Sequence, residues 1–523
     1  MADTTHGALA PTYHPLPITI ARAHGTHVWD TDGNEFLDLL SGYSALNFGH
    51  LHQGLVAAAM TQLRQVTLTS RAFDQDRLEE FAQRLVEVVG PHTTGGEDSL
   101  VVPLSTGTEA VEAAIKAVRK WGHDVRGVPE DQATVVVATG SSHGRTTTLA
   151  GLSSDAVVRD GFGPFGPGFR QVPFGDLDAV AAAIDDTTVA VLMEPVQGDA
   201  GVLVPPDDFW PGLRELTAQQ DIALVADEVQ SGLGRAGTTL ACDLWDVQPD
   251  LVCLGNALGG GIVPVSAVIG RPEILGVLTP GTHTSTFGGN PLACAVGVAA
   301  LDLLATGQYQ ARAGASGVVL KQRLDALVAR GLLTEARIVG LWAGVDLDPA
   351  FGTGRDLCEA LLERGVLAAD TRTTSVCLAP PLSIVQPELE MALDILEESL
   401  VALRGEHSAA ASNEAAADGA ADVVDVDAAG EADVDAADEA PGEQPDGATD
   451  EATDEASGEK REQPVDKLVD GPVDDAADAP VGDPGEALAA DAASEPAAPP
   501  RAVKRGAAAK GKRGSSELSR TAG

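Results

Sequence analysis

Four short apolar runs, separated by segments with helical spacing, constrain the fold of this chain more than any other feature of its sequence. Each run is largely apolar on both faces, as in strands that are buried within a parallel sheet. The runs are Thr134–Ala138, Thr188–Met193, residues 222–226 and Leu251–Leu254. This alternation predicts the α/β class, with a mostly parallel central sheet.

Polar residues follow three of these runs. Glu194, Asp227 and Asn256 each stand at or just after the carboxyl end of an apolar run. Open α/β sheets bind ligands in the crevice outside the carboxyl ends of their strands. We therefore expect these three side chains to share one site.

The rest of the chain divides by pattern and composition. A strand-rich entry contains the dipeptide Asp32-Gly33, and helical spacing returns in residues 318–329 and 387–403. The expected parts are, in order, an N-terminal segment (residues 1–50), a large domain (51–300), a smaller domain (301–405) and a tail (406–523).

The tail has the composition of a disordered segment. Residues 406–523 contain 29 of the 78 acidic residues and no Phe, Trp or Tyr, so they cannot bury enough apolar surface to offset their chain entropy. The tail is acidic up to residue 500 and basic after it. It is either a solvating segment or an arm that contacts an anionic partner.

Charge and cysteine spacing exclude several classes of protein. The net charge of −44 disfavours nucleic-acid binding. The chain shows neither a signal peptide nor the roughly 18 uninterrupted apolar residues that span a bilayer. We therefore expect a cytoplasmic protein with no nucleic-acid or membrane partner. Its cysteines have no paired spacing, which predicts buried free thiols and no metal site. They are Cys242, Cys253, Cys294, Cys358 and Cys377.

A helix start and a buried carboxylate suggest the chemistry of the site. Residues 105–109 (STGTE) open a helical pattern. Backbone N–H groups at such a start suit a phosphate, but Ser or Thr there is also an ordinary N-cap. Asp227 ends a buried run and needs a cation or donor, because an unpaired buried carboxylate is costly. A protonated pyridine nitrogen is one such partner.

Several blocks of the sequence resemble the class III aminotransferases, which use pyridoxal phosphate on fold type I. They are EPVQG (194–198), ADEVQSGLGR (226–235) and ALGGG (257–261). A second set is similar to the ornithine δ-aminotransferases of that class: YSALN (43–47), LTSRAF (68–73), GFGPF (161–165) and TSTFGGNP (284–291). The resemblance covers residues 10–404. It implies a large cofactor-binding domain, a small α+β domain, and transfer of the side-chain amino group of L-ornithine to a 2-oxo acid.

The same resemblance implies which residues hold the cofactor. Gly107 and Thr108 would bind its phosphate, together with Thr286 from the partner subunit of a homodimer. Asp227 would pair with the pyridinium nitrogen, and Gln230 would bond the ring hydroxyl. For the amino acid or 2-oxo acid ligand, the implied residues are Tyr43, Arg145, Asp199 and Cys377.

One position departs decisively from the family. The lysine that links the cofactor stands directly before the ALGGG block, and here Asn256 takes its place. That lysine condenses with the cofactor aldehyde and moves protons during the reaction, and a carboxamide does neither. The other lysines of residues 1–405 are Lys116, Lys120 and Lys321. They fall on helices away from the predicted site, so we expect none to substitute.

Further substitutions affect cofactor stacking and substrate binding. Ser142, before His143, replaces an aromatic ring, which removes stacking worth about 1 kcal/mol. Cys377 replaces the arginine that binds the 2-oxo acid carboxylate, and a thiol cannot form that pair. Asp199 replaces the acidic partner of this arginine and is expected to lack a cation. Arg372 would compensate only through a shift of strand register.

Two hypotheses follow. The first is a pseudoenzyme, inactive or strongly impaired, that keeps the fold and the homodimer and binds pyridoxal phosphate without a covalent link. A mixed dimer with an active homologue is one form of this hypothesis. The alternative is an active pyridoxal-phosphate enzyme with a different base, such as Tyr43 or His143. Fold alone does not decide between them.

Overall fold

The strands of the computed structural model, which describes residues 8–421, form three sheets. In chain order they are β1 (Ile20–His24), β2 (His27–Asp30), β3 (Glu35–Asp38), β4 (Leu100–Leu104), β5 (Thr134–Ala138), β6 (Phe169–Val172), β7 (Thr188–Met193), β8 (Ala223–Asp227), β9 (Leu251–Leu254), β10 (Ser266–Gly270), β11 (Glu335–Val339), β12 (Trp342–Asp346), β13 (Val366–Leu367), β14 (Ala369–Asp370) and β15 (Ser375–Leu378). The sheet orders are β1-β2-β3-β13, β4-β10-β9-β8-β7-β5-β6 and β11-β12-β15-β14.

Helices cover these sheets. In chain order they are α1 (Ser41–Ser44), α2 (Gln53–Leu63), α3 (Asp76–Val89), α4 (Gly107–Asp124), α5 (Thr147–Leu152), α6 (Ala156–Arg159), α7 (Leu177–Ala183), α8 (Phe209–Gln219), α9 (Pro272–Leu275), α10 (Pro291–Ala305), α11 (Gln308–Ala329), α12 (Gly354–Leu362) and α13 (Gln386–Ala421). A 3-10 turn, Asn256–Gly259, follows β9.

The central seven-stranded sheet confirms the α/β class. Strands β6, β5, β7, β8 and β9 are parallel, and β10 runs antiparallel between β9 and β4. Three predicted runs coincide with β5, β7 and β9, and all of their residues are buried. The fourth is displaced by one residue, because Asp227 still pairs with Cys253 of β9 and so ends the strand.

Alternate residues of the central strands face two different hydrophobic layers. Val135 and Val137 of β5 pack with the inner face of α4, whereas Val136 packs with Trp210 and Leu213 of α8. Because side chains alternate across a strand, both faces of the sheet are covered. This explains why the runs are apolar throughout instead of alternating with polar residues.

The N-terminal sheet is completed by a strand from much later in the chain. β13 pairs in parallel with β3, with Val366 opposite Leu37. The predicted helical segments 318–329 and 387–403 lie within α11 and α13. Helix α13 runs to Ala421, beyond residue 406, where we expect the disordered tail to begin. The remainder of the predicted tail lies outside the described residues.

All five cysteines are buried and free, as predicted. Within residues 8–421, no single helix is long and apolar enough to cross a membrane; α10 and α11 meet the length and composition criteria only as a pair, bent by 58°.

Candidate functional site

Loops after several strands of the central sheet meet at its carboxyl edge. Glu194 follows β7, Asp227 ends β8 and Asn256 follows β9. The helix α4 begins at the same edge, directly after β4, and Ser266 at the start of β10 donates from Oγ to the carbonyl oxygen of Thr106 at 2.7 Å. The crevice predicted from the strand pattern is therefore built from these loops.

The start of α4 is capped by a side chain and also presents backbone N–H groups that are free to donate. Thr106 is the N-cap: its Oγ1 accepts from the Glu109 N–H at 3.2 Å, and the Glu109 carboxylate accepts from the N–H groups of Ser105 and Thr106 at 3.0 and 2.8 Å. The N–H groups of Gly107 and Thr108 have no hydrogen-bond partner among the described residues. The positive end of the helix thus offers two donors to an anion.

Close backbone packing holds this loop in place. A Cβ on Gly107 would lie 2.6 Å from Cγ1 of Val229, and one on Gly255 would lie 3.2 Å from the Gly107 Cα. The loops after β8 and β9 therefore press directly against the start of α4. A cavity of about 380 Å³ opens beside them, lined by Ala45, Ser105, Thr106, Gly107, Asn256, Gly261, Ile262, Val263, Pro264 and Val265.

Asp227 has a hydrogen-bond partner that the sequence did not indicate. Nδ1 of His143 lies 2.6 Å from its Oδ2, and both residues are buried. Oδ1 of Asp227 accepts from the Val229 N–H at 3.2 Å. Nε2 of His143 is buried and has no partner among the described residues. His143, in the loop after β5, thus supplies the hydrogen-bond partner that we expected Asp227 to need. Its other ring nitrogen is left without a partner among the described residues.

A second buried carboxyl group lies near Asp227. Glu194 is 5% exposed and accepts from the Ser142 N–H at 3.0 Å. Burial, and then the charge of Asp227, raise the pKa of Glu194 well above its usual range. Burial and the neighbouring carboxylate thus both favour the protonated form of Glu194.

Asn256 contacts the segment that carries Tyr43. Its Nδ2 donates to the carbonyl oxygen of Tyr43 at 2.8 Å. The residues of α1, Ser41–Ser44, all have positive φ, which is uncommon for residues other than glycine. The carboxamide at the lysine position thus stabilises a left-handed turn at the edge of the site.

The three lysines of residues 1–405 lie away from this cavity. Nζ of Lys116 donates to the carbonyl oxygen of Thr282 at 3.1 Å. Lys120 and Lys321 form ion pairs along their own helices, with Asp124 at 2.6 Å and with Asp325 at 3.0 Å. None of the three lines the cavity beside Asn256.

The surroundings of Asp199 differ from one expectation. Asp199 is not without a cation, because Nη2 of Arg145 lies 3.8 Å from its Oδ2. Arg145 also donates to Oγ of Ser142 at 3.1 Å. The loops after β5 and β7 bring these residues together, a contact that strand pattern alone cannot reveal. The pair is solvent-exposed, with 59% and 43% of the two side chains accessible.

Cys377 is inaccessible and its strand keeps a regular register. It pairs with Gly344 of β12 and Ala369 of β14 and is 1% exposed. Arg372 lies in the turn before β15, so no register shift brings it to this position. Trp342, which the sequence did not single out, donates from Nε1 to Sγ of Cys377 at 3.4 Å.

Tyr43 remains partly accessible, with 43% of the residue exposed. Its pKa is raised by burial and then by the charges of Asp199, Cys377 and Asp370. The phenol therefore keeps its proton near neutral pH, which does not favour Tyr43 as the alternative base.

Thr286 is exposed in the segment between α9 and α10.

These residues fit pyridoxal phosphate as a ligand. Two N–H donors at the start of α4 suit a phosphate, and buried Asp227 suits a protonated ring nitrogen. Nε2 of His143 is buried and has no partner among the described residues, so it is available to a further polar group. The residue set does not fit a covalent attachment, since Asn256 supplies no amine.

Known proteins of one family are similar to this chain. The family Aminotransferase class-III matches residues 8–400. An ornithine aminotransferase of Brevibacillus brevis is 44% identical over 391 residues, which are 75% of this chain and 95% of that protein. Ornithine aminotransferase 2 of Staphylococcus aureus is 43% identical over 385 residues, or 74% and 94% of the two chains. The solved ornithine aminotransferase of Toxoplasma gondii, with partial occupancy of PLP at its active site, has a TM-score of 0.73 at 37% identity and covers 77% and 94%.

Proposed function

This chain belongs to the class-III aminotransferases as an ornithine-aminotransferase-like member with fold type I, and we propose that it is a pseudoenzyme of that family. In this proposal it binds pyridoxal phosphate reversibly and has little or no transaminase activity. The observation that carries the proposal is Asn256, whose carboxamide lines the cavity and donates to the Tyr43 carbonyl oxygen.

The carboxamide cannot replace an amine chemically. It is neither a nucleophile toward an aldehyde nor a base near neutral pH, so it can neither attach the cofactor nor carry a proton. Loss of general acid–base catalysis alone typically lowers a rate about 10²- to 10⁴-fold, or roughly 3 to 5 kcal/mol of barrier. The core lysines are held in hydrogen bonds elsewhere.

The retained residues support cofactor binding. Gly107 and Thr108 would donate to the phosphate, Asp227 would hold a proton on the ring nitrogen, and Gln230 would bond the ring hydroxyl. His143 orients the Asp227 carboxylate through their 2.6 Å hydrogen bond. Bound pyridoxal phosphate supplies an electron sink for reactions at the carbon that bears an amino group.

A homodimer is part of the proposal. Apolar side chains in and after α2 are exposed in the single chain, and they would be buried against a second subunit. They are Met60, Leu63, Val66, Leu68 and Phe73. The exposed Thr286 of one chain would then complete the phosphate site of the other, and an active homologue could take the place of the second copy.

The pseudoenzyme is tested by adding pyridoxal phosphate, recording the absorption spectrum, reducing with borohydride and measuring the intact mass. We expect bound cofactor that dialysis removes, no covalent adduct on Lys116, Lys120 or Lys321, and no turnover of L-ornithine with 2-oxoglutarate. An adduct on a core lysine with turnover would establish the alternative, an active enzyme with another base. Absence of binding would refute the cofactor pocket, and Asp227→Ala is the matched control for specific binding.

A further inference from the structure

A second cavity, of about 520 Å³, lies where the end of α3 approaches the start of α11. Its walls come from three parts of the chain: the 3-10 turn Gly90–His92, residues 238–248 after β8, and the first turn of α11. It shares no lining residue with the cavity beside Asn256. The cofactor pocket therefore does not account for it.

The start of α11 presents unpaired backbone donors to this second cavity. The N-cap of the 22-residue helix is Gly307, which lines the cavity and has no side chain to accept a hydrogen bond. The N–H groups of Tyr309 and Gln310 have no hydrogen-bond partner among the described residues. Because N–H groups at the start of a helix point back along its axis, they favour an anion beside Gly307.

The side chain of Gln310 presents the opposite chemistry to the same cavity. Its Nε2 donates to the carbonyl oxygen of Leu304 at 3.0 Å and to Oγ1 of Thr239 at 3.4 Å, so the amide has a defined orientation. Its Oε1 is buried and finds no partner in the part of the chain that the structure describes. A buried acceptor without a donor is unfavourable, and this oxygen therefore favours a ligand that carries N–H groups.

The charged side chains of the lining are acidic. Asp243 already has partners, since its Oδ1 lies 2.8 Å from Nδ1 of His92 and its Oδ2 accepts from the Leu240 N–H at 2.9 Å. Asp246 is exposed, and its carboxylate has no partner within residues 8–421. No lysine or arginine of the described residues lines the cavity. The carboxylate of Asp246 is thus available to a cationic group.

The two preferences belong to neighbouring atoms. Gln310 alone supplies both a free backbone N–H and a free side-chain acceptor, so the anionic group and the donor that they favour must be close together. An α-amino acid carries its ammonium and its carboxylate on one carbon. The ammonium has enough N–H donors for both Oε1 of Gln310 and the carboxylate of Asp246.

We propose that this second cavity binds a free α-amino acid, at a site separate from the cofactor pocket. The ammonium contacts Asp246 and Oε1 of Gln310, and the carboxylate accepts from the N–H groups of Tyr309 and Gln310. The remaining volume of the cavity receives the amino acid side chain. This site does not depend on the proposed function, because the two cavities have no residue in common.

The first test compares three probes that share an aliphatic chain. L-norleucine carries both charged groups, pentylamine lacks the carboxylate and hexanoate lacks the ammonium. Binding to the full chain, prepared without pyridoxal phosphate, is measured by saturation-transfer NMR titration. We expect L-norleucine to bind with a Kd below about 5 mM, and about tenfold or more tighter than either other probe, because each of them loses charge-assisted hydrogen bonds. Absence of L-norleucine binding, or equal binding by pentylamine or hexanoate, would overturn the proposal.

The second test locates the bound amino acid with two variants. Asp246→Asn removes the charge and keeps the left-handed backbone of residue 246, at φ 55°, which asparagine tolerates. Gln310→Met keeps the length of the side chain and removes the acceptor. Each should weaken L-norleucine binding about two- to fivefold. Asp207→Asn, at an exposed carboxylate outside the lining, is the matched control and should leave the affinity unchanged. Unchanged affinity in either variant, once thermal unfolding shows that it is folded, would overturn the proposed contacts.

The two proposals fail in different ways. Asp227→Ala, which removes the cofactor contact, should leave the affinity for L-norleucine unchanged. Loss of L-norleucine binding in this variant would place the amino acid in the cofactor pocket and overturn the separate site. Failure of wild type to bind pyridoxal phosphate would refute the proposed function, and the L-norleucine titrations would still judge the second cavity.

Discussion

The side-chain amide of Asn256 lies 2.8 Å from the carbonyl oxygen of Tyr43, and both residues have positive φ, 43° and 57°. Asparagine adopts this left-handed region more readily than most side chains. The residue at the lysine position is therefore compatible with its backbone and connects the start of the 3-10 turn after β9 to α1. The Asn256 carboxamide stabilises this connection, and a substitution at residue 256 removes its hydrogen bond.

Asn256→Lys is predicted to accept pyridoxal phosphate covalently at residue 256. Borohydride reduction and peptide mapping check this, with Asn256→Met as a control that also loses the hydrogen bond and carries no amine. Both variants should lose about 0.5 to 1.5 kcal/mol of unfolding free energy, the typical net value of one hydrogen bond. Reversible cofactor binding by Asn256→Lys, without an adduct on the introduced amine, would contradict the assignment of this position.

Asp199→Asn is predicted to strengthen the binding of small carboxylates by no more than about fivefold, because an exposed ion pair contributes only about 0.2 to 1 kcal/mol. The substitution frees Arg145 from a partner 3.8 Å away. Calorimetry with pyruvate at low and high salt measures the change, which should shrink at high salt. Asp325→Asn, which breaks an exposed pair with Lys321, should have no effect, and a larger effect of Asp199→Asn would mean that Asp199 blocks the site directly.

Glu228 is predicted to make the fold less stable as pH rises. Its carboxylate is buried and accepts from the Cys242 N–H and Ser231 Oγ, and burial raises its pKa from the usual 4.5 to about 7. The folded state therefore binds the proton more tightly than the unfolded state. The resulting stability is present below pH 4.5 and is lost as pH rises through about 7.

Denaturant unfolding between pH 4.5 and 8 measures this effect. Relative to Glu228→Gln, wild type should lose about 3 kcal/mol across that window, since each pKa unit corresponds to about 1.4 kcal/mol. Parallel stability profiles for the two proteins would show that Glu228 does not titrate there. The nearby Asp243, whose charge also raises the pKa of Glu228, is unchanged in both.

Gly107→Ala is predicted to weaken pyridoxal phosphate binding by about 5- to 150-fold. The new methyl group would stand 2.6 Å from Cγ1 of Val229, and overpacking of this kind costs about 1 to 3 kcal/mol. Adding Val229→Ala should restore most of the affinity, because it removes the atom in contact. Fluorescence titration of the single and double variants checks this, and an unaffected single variant would place the phosphate elsewhere.

The central sheet was predictable because its signal is local. Strands buried on both faces must be apolar at every position, and β5, β7 and β9 coincide with their predicted runs. The polar residues after these strands were predictable for the same reason, since parallel strands deliver their carboxyl ends to one edge. The replacement of the family's lysine by Asn256 can be identified from the sequence block around it alone.

Contacts between separate loops were not predictable. Arg145 and Asp199 lie on loops after different strands, so their approach depends on loop conformation and not on any short pattern. The same holds for His143 with Asp227. Trp342 has the pattern of an ordinary core residue in β12, and its hydrogen bond to Sγ of Cys377 in β15 is likewise not indicated by any short sequence pattern.

The pairing of β13 with β3 has a consequence for the order of assembly. Val366 joins Leu37 roughly 330 residues after the chain has left that strand, and Tyr43 follows only a few residues beyond β3. During synthesis the N-terminal strands therefore remain without their fourth neighbour until most of the core has emerged from the ribosome. Closing so long a loop is entropically unfavourable until other contacts support it. The strand that leads into the turn carrying Tyr43 thus gains its last partner late, so this part of the N-terminal segment depends on residues from the far end of the described core.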